Sequence, residues 1–229
     1  LPDTLLQSLR LIGRYEAFKY IHFPPTPTDY DAALRRLKFE ELFIAQVRLQ
    51  LVKVQRHQTS RGVIFEKVGT LFNDFYNHYL PFELTGAQKR VIKEIRIDTA
   101  RGKQMNRLLQ GDVGSGKTMV ALLSMLLAAD NGYQSCMMAP TEILAQQHFN
   151  GLSELLKDLP VTIKLLTGST KAAERKATLA GLQDGSIQMV VGTHAVIEDK
   201  VQFANLGLAI VDEQHRFGVA QRLLLAQKG

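Results

Sequence analysis

Arg107-Leu108-Leu109-Gln110-Gly111-Asp112-Val113-Gly114-Ser115-Gly116-Lys117-Thr118 is the most informative run of this 229-residue sequence. It matches G-x-x-x-x-G-K-[ST], with Gly111, Gly116, Lys117 and Thr118 at the defining positions. An apolar run precedes it and an apolar helical run, Met119 to Ala129, follows, which is the strand–loop–helix context the motif requires. Glycines let backbone N–H groups close round phosphate oxygens with no side chain in the way. The helix that begins at such a loop turns its partial positive end toward the anion. In that setting the Lys117 ammonium serves the β- and γ-phosphates and the Thr118 hydroxyl ligates Mg²⁺. The plainer reading, a glycine-rich turn that binds nothing, is disfavoured by the flanking strand and helix.

On either side of the loop, short apolar runs alternate with helical ones. Arg107–Gln110 reads as a strand, Lys117–Ala129 as a helix, Ser135–Ala139 as a strand and Glu142–Leu159 as a helix. Val161–Leu166 is then a strand, Lys171–Leu182 a helix, and Gln188–Val191 and Leu208–Val211 strands. Apolar strands interleaved with helices predict an α/β fold, a parallel sheet covered on both faces with right-handed crossovers. The last strand delivers Asp212-Glu213-Gln214-His215 to its C-terminal end, where ligands of such sheets bind. Asp212 is therefore expected to hold the metal and Glu213 to accept a proton from attacking water. Two acids after a strand usually form a solvated loop; a phosphate loop in the same sheet reverses that preference.

Upstream, the apolar segment Leu71–Leu80 stops at Pro81, and Phe82-Glu83-Leu84-Thr85-Gly86-Ala87-Gln88 leads into a helix from Lys89 to about Arg101. Thr85 suits its cap, which places Gln88 in the first turn. The expected organisation is a helical linker or accessory segment over 1–80, followed by a nucleotide-binding domain over 81–229. In the leading segment, Leu1 to Phe23 is mixed, and Pro24-Pro25-Thr26-Pro27 favours an extended linker. Thr28 or Asp29 is the expected cap of a helix running from Asp31 to about His57, a stretch free of Gly and Pro. Leu37, Ile44, Val47, Leu51 and Val54 fall on one face of it. Arg35, Arg36, Lys38, Arg48, Lys53, Arg56, His57 and Arg61 make the region basic, although Glu40 and Glu41 interrupt the charge. A phosphate-contacting surface and an ordinary solvated face account for it equally well.

A hydrophobic share of 45% supports a sizeable core, and no apolar run has the length of a membrane helix. A net charge of +6 and a sequence pI near 9.4 fit a polyanionic partner without requiring one. The single cysteine, Cys136, excludes an internal disulfide and reads as core. No Cys/His cluster has zinc spacing. Leu1 to Gly13 lacks the pattern of a signal peptide, so a cytoplasmic location without a membrane partner is expected.

Taken together, these runs resemble the motifs of superfamily 2 helicases. The resemblance is carried by Leu80-Pro81-Phe82, Leu84-Thr85-Gly86-Ala87-Gln88, Gln110–Thr118, Met138-Ala139-Pro140-Thr141-Glu142, Val191-Gly192-Thr193-His194-Ala195 and Asp212-Glu213-Gln214-His215-Arg216-Phe217-Gly218-Val219. It is specific from about Leu80 onward and weak before. The longer runs look like those of bacterial DNA motors that remodel stalled replication forks; a transcription-repair coupling translocase is the near alternative. The resemblance implies a RecA-like P-loop NTPase lobe that uses ATP and Mg²⁺. It assigns Gly111, Gly114, Ser115, Gly116, Lys117 and Thr118 to the nucleotide, Gln88 to adenine and Phe82 to the neighbourhood of the base. A carboxamide suits adenine's donor–acceptor edge. Pro140, Thr141, Glu142 and Gln146, with Thr167, Gly168, Gly192, Thr193 and His194, correspond to DNA-contacting motifs. Spacing alone reads Thr141 and Thr193 as capping or turn residues. His215 corresponds to a residue that couples the nucleotide site to the rest of the motor. The implied partners are branched or duplex DNA, together with a second motor lobe and a wedge domain of the same full-length chain. Both lie outside these residues, so the lobe is expected to be truncated after Asp212–His215, monomeric and inactive alone. A P-loop switch or binding module is the competing class, and a small-molecule kinase a third.

Overall fold

The computed structural model describes residues 1–59, 62–102, 104–218, 221, 224, 225 and 228, with nothing said of the side chains at 53 and 56–59. The sequence-stretch members Lys53, Arg56, His57, Arg61 and Val219 thus lie, in whole or in their side chains, outside the described residues. The chain forms two compact units, Leu1–Arg61 and Gly62–Gly229.

The first unit is helical: α1 (Asp3–Ser8), α2 (Arg14–His22) and α3 (Pro27–Thr59). The cap of α3 is Thr26 rather than Thr28 or Asp29. Its hydroxyl oxygen accepts the Asp29 N–H at 3.2 Å and donates to Asp29 Oδ2 at 2.7 Å. Pro27 then occupies the first helical position, where a missing N–H costs nothing, so the proline cluster starts the helix. Ala33 and Arg36 are buried. The Arg36 guanidinium leaves the expected basic surface, donating to Ile12 O at 3.0 Å and pairing with Glu40. Farther along α3, Ile44, Val47, Leu51 and Val54 share a face but are exposed.

The second unit begins earlier than residue 81. Phe65 and Phe75 are buried in its main core, with Val63, Val68, Leu71, Phe72 and Leu80 packed against it. This segment carries α4 (Thr70–Asp74), which continues as a π-helical turn over Phe75–Tyr79. Its anchor is Asp130, whose carboxylate accepts the N–H groups of Gly69 (2.9 Å), Leu71 (3.0 Å) and Phe72 (3.0 Å). After α5 (Gly86–Thr99) and α6 (Lys117–Asp130) the chain alternates through β1 (Gln134–Met138), α7 (Glu142–Leu156), β2 (Ile163–Leu166), α8 (Ala172–Asp184), β3 (Met189–Gly192) and β4 (Leu206–Val211).

The strands form one parallel sheet in the order β2-β3-β1-β4. Alternation along the strands separates two cores. Met137, Met189 and Val191 face the cluster built by α6 and α7, and Cys136, Met138 and Val190 face the one holding Leu182, Ala195 and Val196. Burial on both faces goes with the wholly apolar β3. β1 is equally buried but opens with Gln134 and Ser135, and the Gln134 amide is satisfied by the Leu182 and Ile187 carbonyls at 2.9 and 2.7 Å. Arg107–Gln110, expected as a further strand, has no strand pairing. Leu108 is exposed, and the Arg107 guanidinium is held by α5 instead, 2.5 Å from Glu94 and 2.6 Å from Asp98. Among the described residues no helix is long and apolar enough to cross a membrane.

Candidate nucleotide and nucleic-acid site

The loop between Gln110 and α6 turns through two left-handed glycines, Gly114 at φ +79° and Gly116 at φ +75°. Gly116 ends the loop, and its carbonyl accepts the N–H groups of Met119 (3.0 Å) and Val120 (3.3 Å), so α6 starts at Lys117. The Lys117 ammonium folds back on the loop and donates to the carbonyls of Gly111 and Asp112, both at 2.8 Å. An ammonium has three donors and no acceptor. Two are thus engaged by the loop's own backbone, which leaves one donor for a phosphate; contact with two phosphates at once draws Lys117 from at least one carbonyl.

Gln88 is buried and sits on this loop. Its Oε1 accepts the Thr85 N–H at 2.8 Å, while the Thr85 hydroxyl accepts the Gln88 N–H at 3.2 Å, a reciprocal cap of α5. Its Nε2 donates to Ser115 O at 3.0 Å. A Cβ at Gly116 would come within 2.2 Å of that nitrogen, so the glycine leaves the space Gln88 fills. Both ends of the amide assigned to adenine are therefore engaged by protein. Phe82 is exposed nearby in sequence.

The acidic pair follows β4. Asp212 N–H donates to Met138 O at 2.9 Å, so the sheet register carries one residue beyond the strand. Asp212 Oδ1 accepts the Glu213 N–H at 2.9 Å, and Oδ2 accepts from His148 Nε2 at 2.8 Å. Glu213 adopts φ +46°, ψ 52°, a left-handed conformation that is costly for a residue with a Cβ. Its carboxylate lies 3.0 Å from Arg216. His215 is exposed in the same short turn.

The remaining candidates lie at the C-terminal ends of β1, β2 and β3, the edge at which Asp212 and Glu213 leave β4. After β1, Pro140 is half-buried, Thr141 caps α7 by accepting the Leu144 N–H at 3.2 Å, and Gln146 donates to Asn150 at 2.8 Å. The Glu142 carboxylate accepts the Ser169 N–H at 3.0 Å and its hydroxyl at 2.7 Å. Those bonds, the hydroxyl first, hold Glu142 below the usual carboxylate range. After β2, Thr167 is buried and Gly168 exposed. After β3, Gly192 and Thr193 are buried and His194 is exposed. The Thr193 hydroxyl oxygen has no hydrogen-bond partner. The exposed members of this edge are thus Thr141, Glu142, Gln146, Gly168 and His194.

The donor chemistry fits a magnesium ion bound with its nucleotide. Thr118 offers an exposed hydroxyl and Asp212 a carboxylate, both hard oxygens. Mg²⁺ is characteristically held by one or two protein oxygens, with water and phosphate completing the shell. Among the described residues no group of three or more His, Cys, Asp or Glu side chains is placed to hold a metal. Sequence reasoning overlooked His148 and the Glu142–Ser169 contact. The available signal for the first was its position seven residues, two helical turns, after the Thr141 cap.

The chain resembles curated ATP-dependent DNA helicases RecG. It is 47% identical over 233 residues to that of Streptococcus pneumoniae serotype 4, covering 100% of this chain and 34% of the relative. To the Thermotoga maritima protein it is 45% identical over 230 residues, covering 100% and 29%. It thus spans about a third of the length of the curated relatives it matches. A solved structure of RecG bound to a three-way DNA junction superposes with a TM-score of 0.83 at 43% identity, covering 95% of this chain and 30% of that one. Residues 85–227 match the DEAD/DEAH box helicase family, a span running from the Thr85 cap through the phosphate loop and past the acidic pair. With more than half of its length in that match and both halves of the site inside it, the chain belongs to the DEAD/DEAH box helicase family.

Proposed function

We propose that this chain is the ATP-binding lobe of a DNA helicase or translocase that remodels branched DNA, such as stalled forks in repair and recombination. The observation that carries the reading is that one compact unit holds all the parts. A phosphate loop opening α6 and an acidic pair ending β4 lie in one unit with three strand-end turns of polar and backbone donors. The RecG relatives and the junction-bound neighbour support the DNA part.

In this reading Lys117 leaves the Gly111 and Asp112 carbonyls to meet the β- and γ-phosphates, and the Gly111–Gly116 amides with the α6 N-terminus cradle them. Thr118 and Asp212 hold Mg²⁺, which neutralises developing phosphate charge. Glu213 takes the proton of the attacking water. Gln88 meets adenine beside Phe82 through its remaining N–H and Oε1 lone pair. Pro140, Thr141, Glu142, Gln146, Thr167, Gly168, Gly192, Thr193 and His194 line the DNA side, where hydroxyls and backbone amides meet phosphates without reading bases. His215 connects the two sides. A second lobe and a wedge in the full-length protein complete the motor, whose arginines are worth about 10³–10⁵ in rate.

The test is steady-state ATP hydrolysis by the full-length protein with forked, duplex and single-stranded DNA. Turnover stimulated most by forked DNA is the expected result. A full-length protein whose turnover ignores every DNA is a nucleotide switch instead.

A further inference from the structure

Asp212 is gripped from two directions. Its own neighbour supplies one bond, the Glu213 N–H to Oδ1; the other reaches Oδ2 from α7, sixty-four residues earlier, through His148 Nε2 at 2.8 Å. A carboxylate only accepts, so Nε2 carries the proton. Each oxygen then retains a lone pair while the plane of the carboxylate is set. Side-chain exposure is 17% for His148 and 34% for Asp212, so the contact is sheltered enough to hold its geometry.

The same helix begins at the turn after β1. Thr141 caps it, and Glu142 in its first turn binds the backbone and hydroxyl of Ser169 in the turn after β2. Ala145, Leu152 and Leu156 bury one side of α7 in the main core, which anchors the helix along its length. One rigid element therefore holds the strand-end turns at its start and the acidic residue of β4 two turns later.

We propose that His148 is a positioning residue for Asp212, and that α7 thereby joins the turns after β1 and β2 to the metal side of the nucleotide site. This rests on the nucleotide-site reading above. Removing the imidazole frees the Asp212 carboxylate to rotate, which weakens its hold on Mg²⁺. Outer-shell partners of metal ligands are typically worth 10–100-fold in metal affinity.

The experiment uses the full-length protein and a fluorescent ATP analogue, with binding titrated against Mg²⁺ and, separately, in EDTA. The His148→Ala variant raises the Mg²⁺ midpoint about tenfold and leaves metal-free binding unchanged. His148→Gln, whose amide nitrogen reaches the place of Nε2, restores the midpoint; His148→Asn, one methylene shorter, does not. Forked DNA shifts the midpoint in the wild type and not in His148→Ala, as linkage between two sites requires. An unchanged midpoint in His148→Ala overturns the positioning role, as does a His148→Gln variant that behaves like His148→Asn. A DNA-induced shift that is absent from the wild type, or equal in the two proteins, overturns the link through α7. Wild-type protein that binds the analogue without regard to Mg²⁺ overturns the nucleotide-site reading itself, and the proposal with it.

Discussion

Gln88 Nε2 donates to the carbonyl oxygen of Ser115 at 3.0 Å, joining the first turn of α5 to the phosphate loop across twenty-seven residues. The bond exists because Gly116 has no side chain: a Cβ there would stand 2.2 Å from the same nitrogen. The amide keeps a second N–H and a second Oε1 lone pair, so the side chain that braces the loop still has the donor and acceptor that the adenine assignment requires.

Gln88→Ala is therefore expected to narrow the preference for ATP over GTP. The loss is one or two neutral hydrogen bonds at about 0.5–1.5 kcal/mol each. Competition binding of the two nucleotides to the full-length protein measures it. An unaltered preference would leave Gln88 as a cap and loop brace only.

Lys117→Ala is expected to abolish turnover or sharply weaken nucleotide binding while leaving stability within about 0.5 kcal/mol. The ammonium's two bonds in the structure are exposed contacts to the loop carbonyls, so folding does not depend on them. Thermal melting and ATP titration of the same sample separate the two effects.

Glu213 combines a catalytic assignment with a left-handed backbone. Glu213→Gln should retain Mg²⁺·ATP binding and lose roughly 10²-fold or more in hydrolysis, the scale of a missing general base. Glu213→Gly should be equally inactive yet as stable as the wild type or more so, by up to about 1 kcal/mol, because glycine accepts the positive φ. Melting temperature and single-turnover hydrolysis together check the pair; a Glu213→Gly variant less stable than Glu213→Gln would show that the turn is unstrained.

Gly192→Ala tests the β2–β3 edge. A Cβ at Gly192 would meet the Leu166 carbonyl oxygen at 2.1 Å, and that oxygen belongs to backbone paired in register with Gly192 itself. The expected loss is about 1–3 kcal/mol or more, the cost of overpacking against something that cannot move aside. Urea unfolding gives the value.

Cys136 is fully buried in β1, and burial pushes its thiol up to about 12. Thiol reagents at pH 8 should leave the native protein unmodified and react once it unfolds. The folded state binds this proton more tightly, so the contribution to stability is full below the ordinary value of 9.0 and is lost as pH rises from there through about 12. Rapid labelling under native conditions would contradict the burial of the thiol.

Much of this was readable from residues in order. The phosphate loop, the α6 run, the apolar strands and the acids that end β4 each announce themselves through local periodicity and glycine placement, because helix and strand differ in side-chain period. One local feature was misread: Thr26, not Thr28 or Asp29, caps α3, since Pro27 at the first helical position moves the start forward. Contacts that depend on distant chain meeting were not legible. Arg36 looked like part of a basic surface until Ile12 O and Glu40 took its guanidinium into the interior. Arg107–Gln110 has the composition of a strand, but strand identity requires a partner's hydrogen bonds, and the Glu94 and Asp98 carboxylates of α5 hold Arg107 instead. The grips of Gln88 on Ser115 and of His148 on Asp212 join residues twenty-seven and sixty-four apart. Sequence order places such groups on their own helices and strands; which carbonyl or carboxylate each one finds depends on how those elements pack.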